Sequence, residues 1–172
     1  MENRIVRFAA VAVFGMLAAG FAFASSTATA TFSVSATIGN NCTISANALA
    51  FGSYDPVYTN TSGNPLDGST TLSVTCTSGA STTVTLDQGL HPAGGSTNAI
   101  PLRQMKTGSS YLAYFLYQDG GYGTVWGNTV GSGQSYSGTG NTDTLTVYGQ
   151  VTGGQNEPSG TYTDTVTATI TF

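Results

Sequence analysis

Strict alternation of apolar and polar residues is the feature of this sequence that most constrains its fold. In ATATFSVSATI, residues 28–38, the apolar side chains fall on one parity, and Thr and Ser fall on the other. The same pattern returns in GTYTDTVTATITF, residues 160–172. Because successive side chains of a β-strand point to opposite faces, each segment is predicted to be a strand with one apolar face. The N-terminal strand therefore raises the question of what covers its apolar face.

Between these two segments the chain consists of short β-type runs separated by turn-forming residues. Residues 53–70 and 127–141 are rich in Gly, Ser, Thr and Asn and are predicted to be loops. YLAYFLYQD, residues 111–119, is apolar on both faces, which predicts a strand in the interior of a sheet. No sustained period of 3.6 residues is present after residue 24, so we expect almost no helix. Seven or so strands in one domain predict an all-β fold, a β-sandwich. The remaining strands are expected in CTISANALAFG, TLSVTC, TTVTL, a short pairing around 100–105, and TLTVYGQV.

The first 24 residues have the features of a secretory signal peptide. Arg4 and Arg7 precede a long apolar run that ends in Ala22-Phe23-Ala24, a small-residue cleavage pattern. The alternative is a membrane anchor, since the run approaches the length that spans a bilayer. A second such pattern at 28–30 leaves the cleavage point open. We expect an exported chain with a single domain after the leader.

Charge excludes one class of partner. After the predicted leader only Arg103 and Lys106 are basic, against seven acidic residues, so the net charge is −5. Such a chain cannot neutralise phosphates, and we expect no nucleic-acid partner. Attraction to anionic lipid is disfavoured for the same reason.

The two cysteines, Cys42 and Cys76, predict one disulfide, because exported chains usually oxidise a lone pair. A zinc site built from both thiols and His91 is the alternative, but a closed zinc site needs four ligands.

Catalysis has little support either. His91 is the single histidine, it precedes Pro92 in a Gly-rich loop, and no nucleophile-elbow motif is present. We expect no enzyme, catalytic residue, metal, cofactor or small-molecule substrate.

Two non-catalytic functions compete at this point. Clustered aromatic residues are compatible with a secreted carbohydrate-binding module, which predicts exposed ring faces around Trp126. A self-sufficient secreted sandwich predicts a stable monomer. The N-terminal strand favours a third function. Its regularly spaced apolar side chains suit it for addition to the unpaired sheet edge of another chain. The clustered aromatic residues are Tyr111, Tyr114, Tyr117, Tyr122 and Trp126.

Several motifs in this order resemble the spore coat protein U family, the subunits of archaic chaperone–usher pili. The resemblance covers nearly the whole chain after the leader. It is carried by ATFSVSATI, NCTIS, LAFG, LSVTC, RQMKTGSSYLAYFLYQD, TVWG, VYG and GTYTDTVTATITF. It implies an incomplete immunoglobulin-like β-sandwich that lacks its last strand. A donor strand from a periplasmic chaperone, and then from a neighbouring subunit, would complete this fold.

The resemblance also implies particular roles and partners. Residues 25–38 would be the donor segment and residues 39–172 the pilin domain, with Cys42 and Cys76 forming the family's disulfide. Partners would be the chaperone, an outer-membrane usher and other copies or sister subunits. The product would be a fibre for adhesion and biofilm formation, or a coat, at the surface of a Gram-negative bacterium. The donor residues would be Ala30, Phe32, Val34, Ala36 and Ile38, and the groove residues would be Tyr162, Val166, Ala168, Ile170 and Phe172.

Overall fold

A computed structural model describes residues 24–172, so all but the last residue of the predicted leader lies outside it. The chain divides into two units between Ala36 and Thr37. In the first unit, the described residues 24–36 are exposed and contain no regular secondary structure. Within the part of the chain that is described, no helix is long and apolar enough to cross a membrane.

The second unit is built from β-strands, which confirms the predicted all-β class. Eight strands contribute to two antiparallel sheets. In chain order they are β1 (Cys42–Ala46), β2 (Leu66–Cys76), β3 (Ser81–Leu86), β4 (Arg103–Thr107), β5 (Ser110–Tyr117), β6 (Gln134–Ser137), β7 (Thr142–Val151) and β8 (Ala168–Thr171).

The first sheet has the order β1-β2-β7-β5-β4, and the second has the order β6-β3-β8. At one end of the sandwich Cys42 pairs with Cys76, and Thr75 pairs with Thr142. We call this the disulfide end, because Cys42 and Cys76 are bonded there. At the other end Leu66 pairs with Val151, and the loop of residues 53–65 leads into β2. We call this the loop end.

Alternation within the central strands creates the core. In β5 and in the C-terminal halves of β2 and β7 every second residue is buried, while the residues between them are partly exposed. Trp126 follows β5 and is fully buried, and its indole N–H donates to the carbonyl of Val84 in β3. The sheets are therefore joined by apolar packing and by a satisfied polar contact.

Arg103 makes a second polar connection between the sheets. Its buried guanidinium donates to the backbone carbonyls of Leu86, Asp87 and Trp126 at 2.8–2.9 Å. Desolvation lowers the pKa of Arg103 to about 10, although Tyr114, Asp87 and Asp164 oppose that shift. The side chain stays charged at neutral pH, and three charge-assisted hydrogen bonds fix β4 against β3.

The strand boundaries differ from the sequence prediction in four places. Residues 28–38 form no strand, because a strand is stabilised by pairing and none of residues 24–41 has a ladder partner. β2 begins at Leu66, inside the predicted loop 53–70, because it pairs along almost the whole length of β7. β6 lies within the Gly- and Ser-rich stretch 127–141 and pairs with β3. The C-terminal strand is shorter than predicted, with only Ala168–Thr171 in the sheet.

Candidate strand-acceptor groove

The candidate site lies between two sheet edges. β8 pairs with β3 on one side, and β1 pairs with β2 on one side. On its other side neither strand has a partner strand among residues 24–172. An unpaired edge presents backbone N–H and C=O groups that another strand can satisfy. The sandwich is thus open between β1 and β8, whereas β4 is joined to the segment before β8 by one backbone bridge, Lys106 to Thr163.

A groove of about 520 Å³ opens between these edges. Its walls are residues 46–51, which follow β1, and residues 162–168, which lead into β8. A water molecule occupies only about 30 Å³ in the liquid, so the groove has room for several side chains. Its floor is core surface from both sheets, formed by Leu72, Leu86, Met105, Tyr114, Leu116 and Val147.

Hydrophobic burial is incomplete along this groove. Several apolar side chains pack against the core but remain partly exposed. Covering that surface would remove more apolar area from water at about 25 cal/mol per Å². The residues concerned include Ile44, Leu49, Phe51, Met105, Tyr162, Val166, Ala168 and Ile170.

Two glycines position the wall formed by residues 46–51. Gly68 in β2 pairs with Gly149 in β7, and Leu49 and Phe51 lie directly over this pair. A Cβ at Gly149 would approach Leu49 to 2.6 Å and Phe51 to 2.7 Å. The LAFG segment therefore lies flat on the sheet because neither glycine has a side chain.

A buried carboxylate positions the opposite wall. Asp164 accepts hydrogen bonds from the Tyr114 hydroxyl at 2.7 Å and from the Leu90 backbone N–H at 2.9 Å. Its side chain is 2% exposed, and His91 Nδ1 lies 3.3 Å from it. Burial, and then the hydrogen bond to Asp164, raise the pKa of Tyr114. This shift is opposite to the one that would activate a tyrosine nucleophile, so the cluster is suited to structure rather than catalysis.

Asp164 was missed by the sequence prediction although a signal was present. It falls on the same parity as Tyr162 and Val166, at a position where the alternation requires an apolar residue. A carboxylate at an inward-facing position needs a buried donor, and Tyr114 and Leu90 supply it. The side chain of His91 is partly buried beside it.

Three of the five predicted groove residues lie along one wall of the groove. Tyr162, Val166 and Ala168 line the groove, and Ile170 packs against the adjoining core. Phe172 is 52% exposed and is not part of the lining. The predicted donor segment lies outside any sheet, and its anchors Phe32, Val34 and Ile38 are 83–86% exposed.

The aromatic cluster does not form the platform that a carbohydrate-binding module requires. Trp126 is fully buried and Tyr114 is nearly so. Tyr117 packs edge-on against Tyr122, and Tyr111 lies under the Lys106 ammonium. The predicted exposed ring face at Trp126 is wrong, because this indole supplies the core between the sheets.

Comparison with known proteins supports the assignment of the fold. The structure resembles a crystal structure of a chaperone–tip adhesion subunit pre-assembly complex from the archaic chaperone-usher Csu pili of Acinetobacter baumannii. The TM-score is 0.55 at 24% identity, and the match covers 79% of this chain. This chain spans 40% of the length of that solved chain.

Sequence comparison identifies the family. The chain is 50% identical over 153 residues to Protein U of Myxococcus xanthus, covering 85% of this chain and 86% of that protein. The model of the Spore Coat Protein U domain matches residues 28–169, which include both the exposed N-terminal segment and the groove. The chain therefore belongs to the Spore Coat Protein U domain family.

Proposed function

We propose that this protein is a non-enzymatic structural subunit of a surface fibre or coat, in which each copy fills its neighbour's groove. The observation that carries the proposal is an open groove between two unpaired edges in a chain with its own unpaired strand-forming segment. Addition of a strand to an exposed sheet edge is a recurrent mode of recognition. Here the backbone ladder would provide affinity, and the apolar anchors would provide register.

The donor segment resembles the C-terminal segment in pattern. Residues 28–38 and 162–172 are each eleven residues long, and apart from Asp164 the side chains on one parity of each are apolar. Three large anchors, Phe32, Val34 and Ile38, would each contribute about 1.5–3 kcal/mol on full burial. Each ladder hydrogen bond would add about 0.5–1.5 kcal/mol.

Strand direction rules out insertion of the donor segment into its own groove in the antiparallel orientation. Residues 162–172 run from the loop end to the disulfide end. Thr163 bridges Lys106, which is near the end of β4 at the loop end, whereas Thr171 pairs with Thr83, which is near the start of β3 at the disulfide end. An antiparallel donor would therefore place Ile38 at the loop end, while Cys42 of the same chain is at the disulfide end. Eleven residues of strand span about 33 Å, whereas the linker from Ile38 to Cys42 reaches about 14 Å. In the antiparallel orientation the donor would therefore have to come from another copy.

The surrounding pathway follows from the relatives. The similar solved protein comes from archaic chaperone-usher pili and was crystallised with a chaperone. The apolar surface of an open groove must be covered before assembly, so a periplasmic chaperone would occupy the groove first. At an outer-membrane usher the donor segment of another subunit would then replace the chaperone. The exported subunits then form a fibre at the cell surface, for adhesion and biofilm formation, or a coat.

The two faces of the donor segment provide a matched test. Phe32→Asp places a charge on the apolar face, and Thr31→Asp places the same charge one residue away on the polar face. The full-length gene is expressed with its chaperone and usher. Surface polymers are then measured as ladders that resist detergent and collapse on boiling. We expect loss of polymers in Phe32→Asp and wild-type ladders in Thr31→Asp.

The competing classes predict different results. A self-sufficient sandwich yields only monomers from the wild-type chain, and a carbohydrate-binding module yields saturable glycan binding without polymers. Equal ladders from both Asp variants would contradict the proposed role of the apolar face.

A further inference from the structure

We propose a second contact between successive copies, in which the Val57-Tyr58 tip of one subunit occupies a depression beside the disulfide of the next. This inference rests on the proposed donor-strand assembly and adds an interaction surface outside the groove. Val57 and Tyr58 are 81% and 88% exposed, although both are large and apolar. Contiguous exposed apolar side chains, rather than single scattered ones, mark interaction sites, and these two residues are adjacent.

The tip is held rigidly by the loop beneath it. The Asp55 carboxylate accepts hydrogen bonds from the backbone N–H groups of Val57 and Tyr58 at 2.9 and 3.1 Å. Asn60 is buried and closes the loop onto Asp55 through its side chain and its backbone N–H. Gly154, which follows β7, donates to the Asn60 carbonyl at 2.7 Å. The exposure of the tip is therefore imposed by the loop, so little conformational entropy is lost when a partner covers it.

A matching concavity lies at the opposite end of the molecule. A depression of about 230 Å³ surrounds the disulfide at the beginning of β1 and the end of β2. Threonine methyl groups offer apolar contacts to an aromatic ring, and hydroxyl and amide groups offer hydrogen-bond partners for a phenol. Its lining is Asn41, Cys42, Thr43, Thr75, Cys76, Thr77 and Gly140.

Donor-strand direction brings these two surfaces together. A donor lying antiparallel to residues 162–172 of its neighbour leaves the neighbour's groove at the loop end. The donor's own Cys42 follows within four residues of Ile38, a reach of about 14 Å. The disulfide end of the donor therefore abuts the loop end of the acceptor, where residues 53–65 form the Val57-Tyr58 tip. The same contact repeats at every joint, as expected for a head-to-tail interface that does not close into a ring.

Photocrosslinking of the polymer tests this contact directly. The photoreactive residue p-benzoylphenylalanine is introduced at position 58 of the full chain, or at Val130, another exposed apolar position. After assembly and irradiation, donor strands are released by boiling. We expect covalent dimers from position 58 only, with crosslinked peptides containing residues 41–43 or 75–77.

A second pair of variants tests the depression. Thr43 and Ser45 share the outward face of β1, but only Thr43 lines the depression. We expect Thr43→Arg to reduce the position-58 crosslink at least fivefold without reducing polymer yield, and Ser45→Arg to leave both unchanged. Normal polymers with position-58 crosslinks elsewhere, or with no effect of Thr43→Arg, would overturn this contact and leave donor-strand assembly intact. Absence of wild-type polymers would overturn both proposals.

Discussion

The two ends of this chain carry nearly the same pattern but differ in structure. Residues 28–38 and 162–172 both alternate apolar and polar side chains. The N-terminal anchors are more than four-fifths exposed and belong to no strand, whereas residues 162–170 pack against the core. Alternation thus shows that one face will be buried, but it does not show which chain supplies the partner.

Polar contacts account for the difference. In the C-terminal segment Thr163 exchanges backbone hydrogen bonds with Lys106, and Thr167 exchanges them with Asp87 through a backbone and a side-chain contact. Asp164 adds the contacts with Tyr114 and Leu90. The N-terminal segment has only Ser and Thr between its anchors, so it carries no charged side chain that could make a contact like that of Asp164. The C-terminal segment is therefore fixed as a wall of the groove, whereas residues 28–38, which we propose as the insert, belong to no sheet.

Moving residues 28–38 to the C-terminus should give the largest change in the free energy of unfolding. In this variant residues 28–38 are deleted and the same sequence is fused after Phe172 through a short turn, from which it can run antiparallel to residues 162–172. We expect a monomer whose free energy of unfolding rises by about 5 kcal/mol, because the three anchors become buried. Denaturant unfolding with size-exclusion chromatography measures both properties.

The control for this fusion replaces its three anchors by Ser and keeps the turn. It should unfold at the denaturant concentration of the unfused domain. Equal stability of the two fusions would show that the groove does not accept the apolar face.

The existence of most strands could be predicted from the sequence, but the residues at which they begin and end could not. β5 was found because its residues are apolar on both faces, and β7 because its apolar residues alternate, whereas β6 was missed because Ser and Gly dominate its segment. Parity placed Tyr162, Val166 and Ala168 on one face of the C-terminal segment, and the family resemblance implied that this face lines a groove. The opposite wall at Leu49 and Phe51 was not predicted, since it depends on a pair of glycines distant in sequence.

Removing the disulfide should give the next largest change in the free energy of unfolding. This variant also tests whether the stability of the domain is independent of the affinity of the groove for the donor segment. The bond joins residues 34 apart, so the Cys42→Ser, Cys76→Ser variant should lose about 3.5–4 kcal/mol of unfolding free energy. The groove floor does not include either cysteine. A synthetic peptide of residues 28–38 should therefore bind folded variant and folded wild type with equal affinity, measured by fluorescence anisotropy. A weaker affinity at temperatures where the variant is folded would contradict this separation.

The smallest effect concerns the hydrogen bond that defines the C-terminal wall. Tyr114→Phe removes the hydroxyl that donates to the buried Asp164, and we expect a loss of about 1–3 kcal/mol at pH 7. Tyr111→Phe is the matched control, because Tyr111 is more exposed and lies on the same strand.

The pH dependence of stability tests whether the Tyr114 phenol is held in its neutral form by burial and by the hydrogen bond to Asp164. Folding raises the pKa of Tyr114 above its ordinary value of 10.0, so its contribution is complete below pH 10 and is lost as the pH rises further. Wild-type stability should therefore fall more steeply above pH 10 than that of Tyr114→Phe, and the two curves should converge. Denaturant midpoints between pH 7 and pH 11.5 measure this difference. Parallel curves would mean that the phenol does not hold the wall through Asp164, and the contrast between the two ends of the chain would then depend on backbone pairing alone.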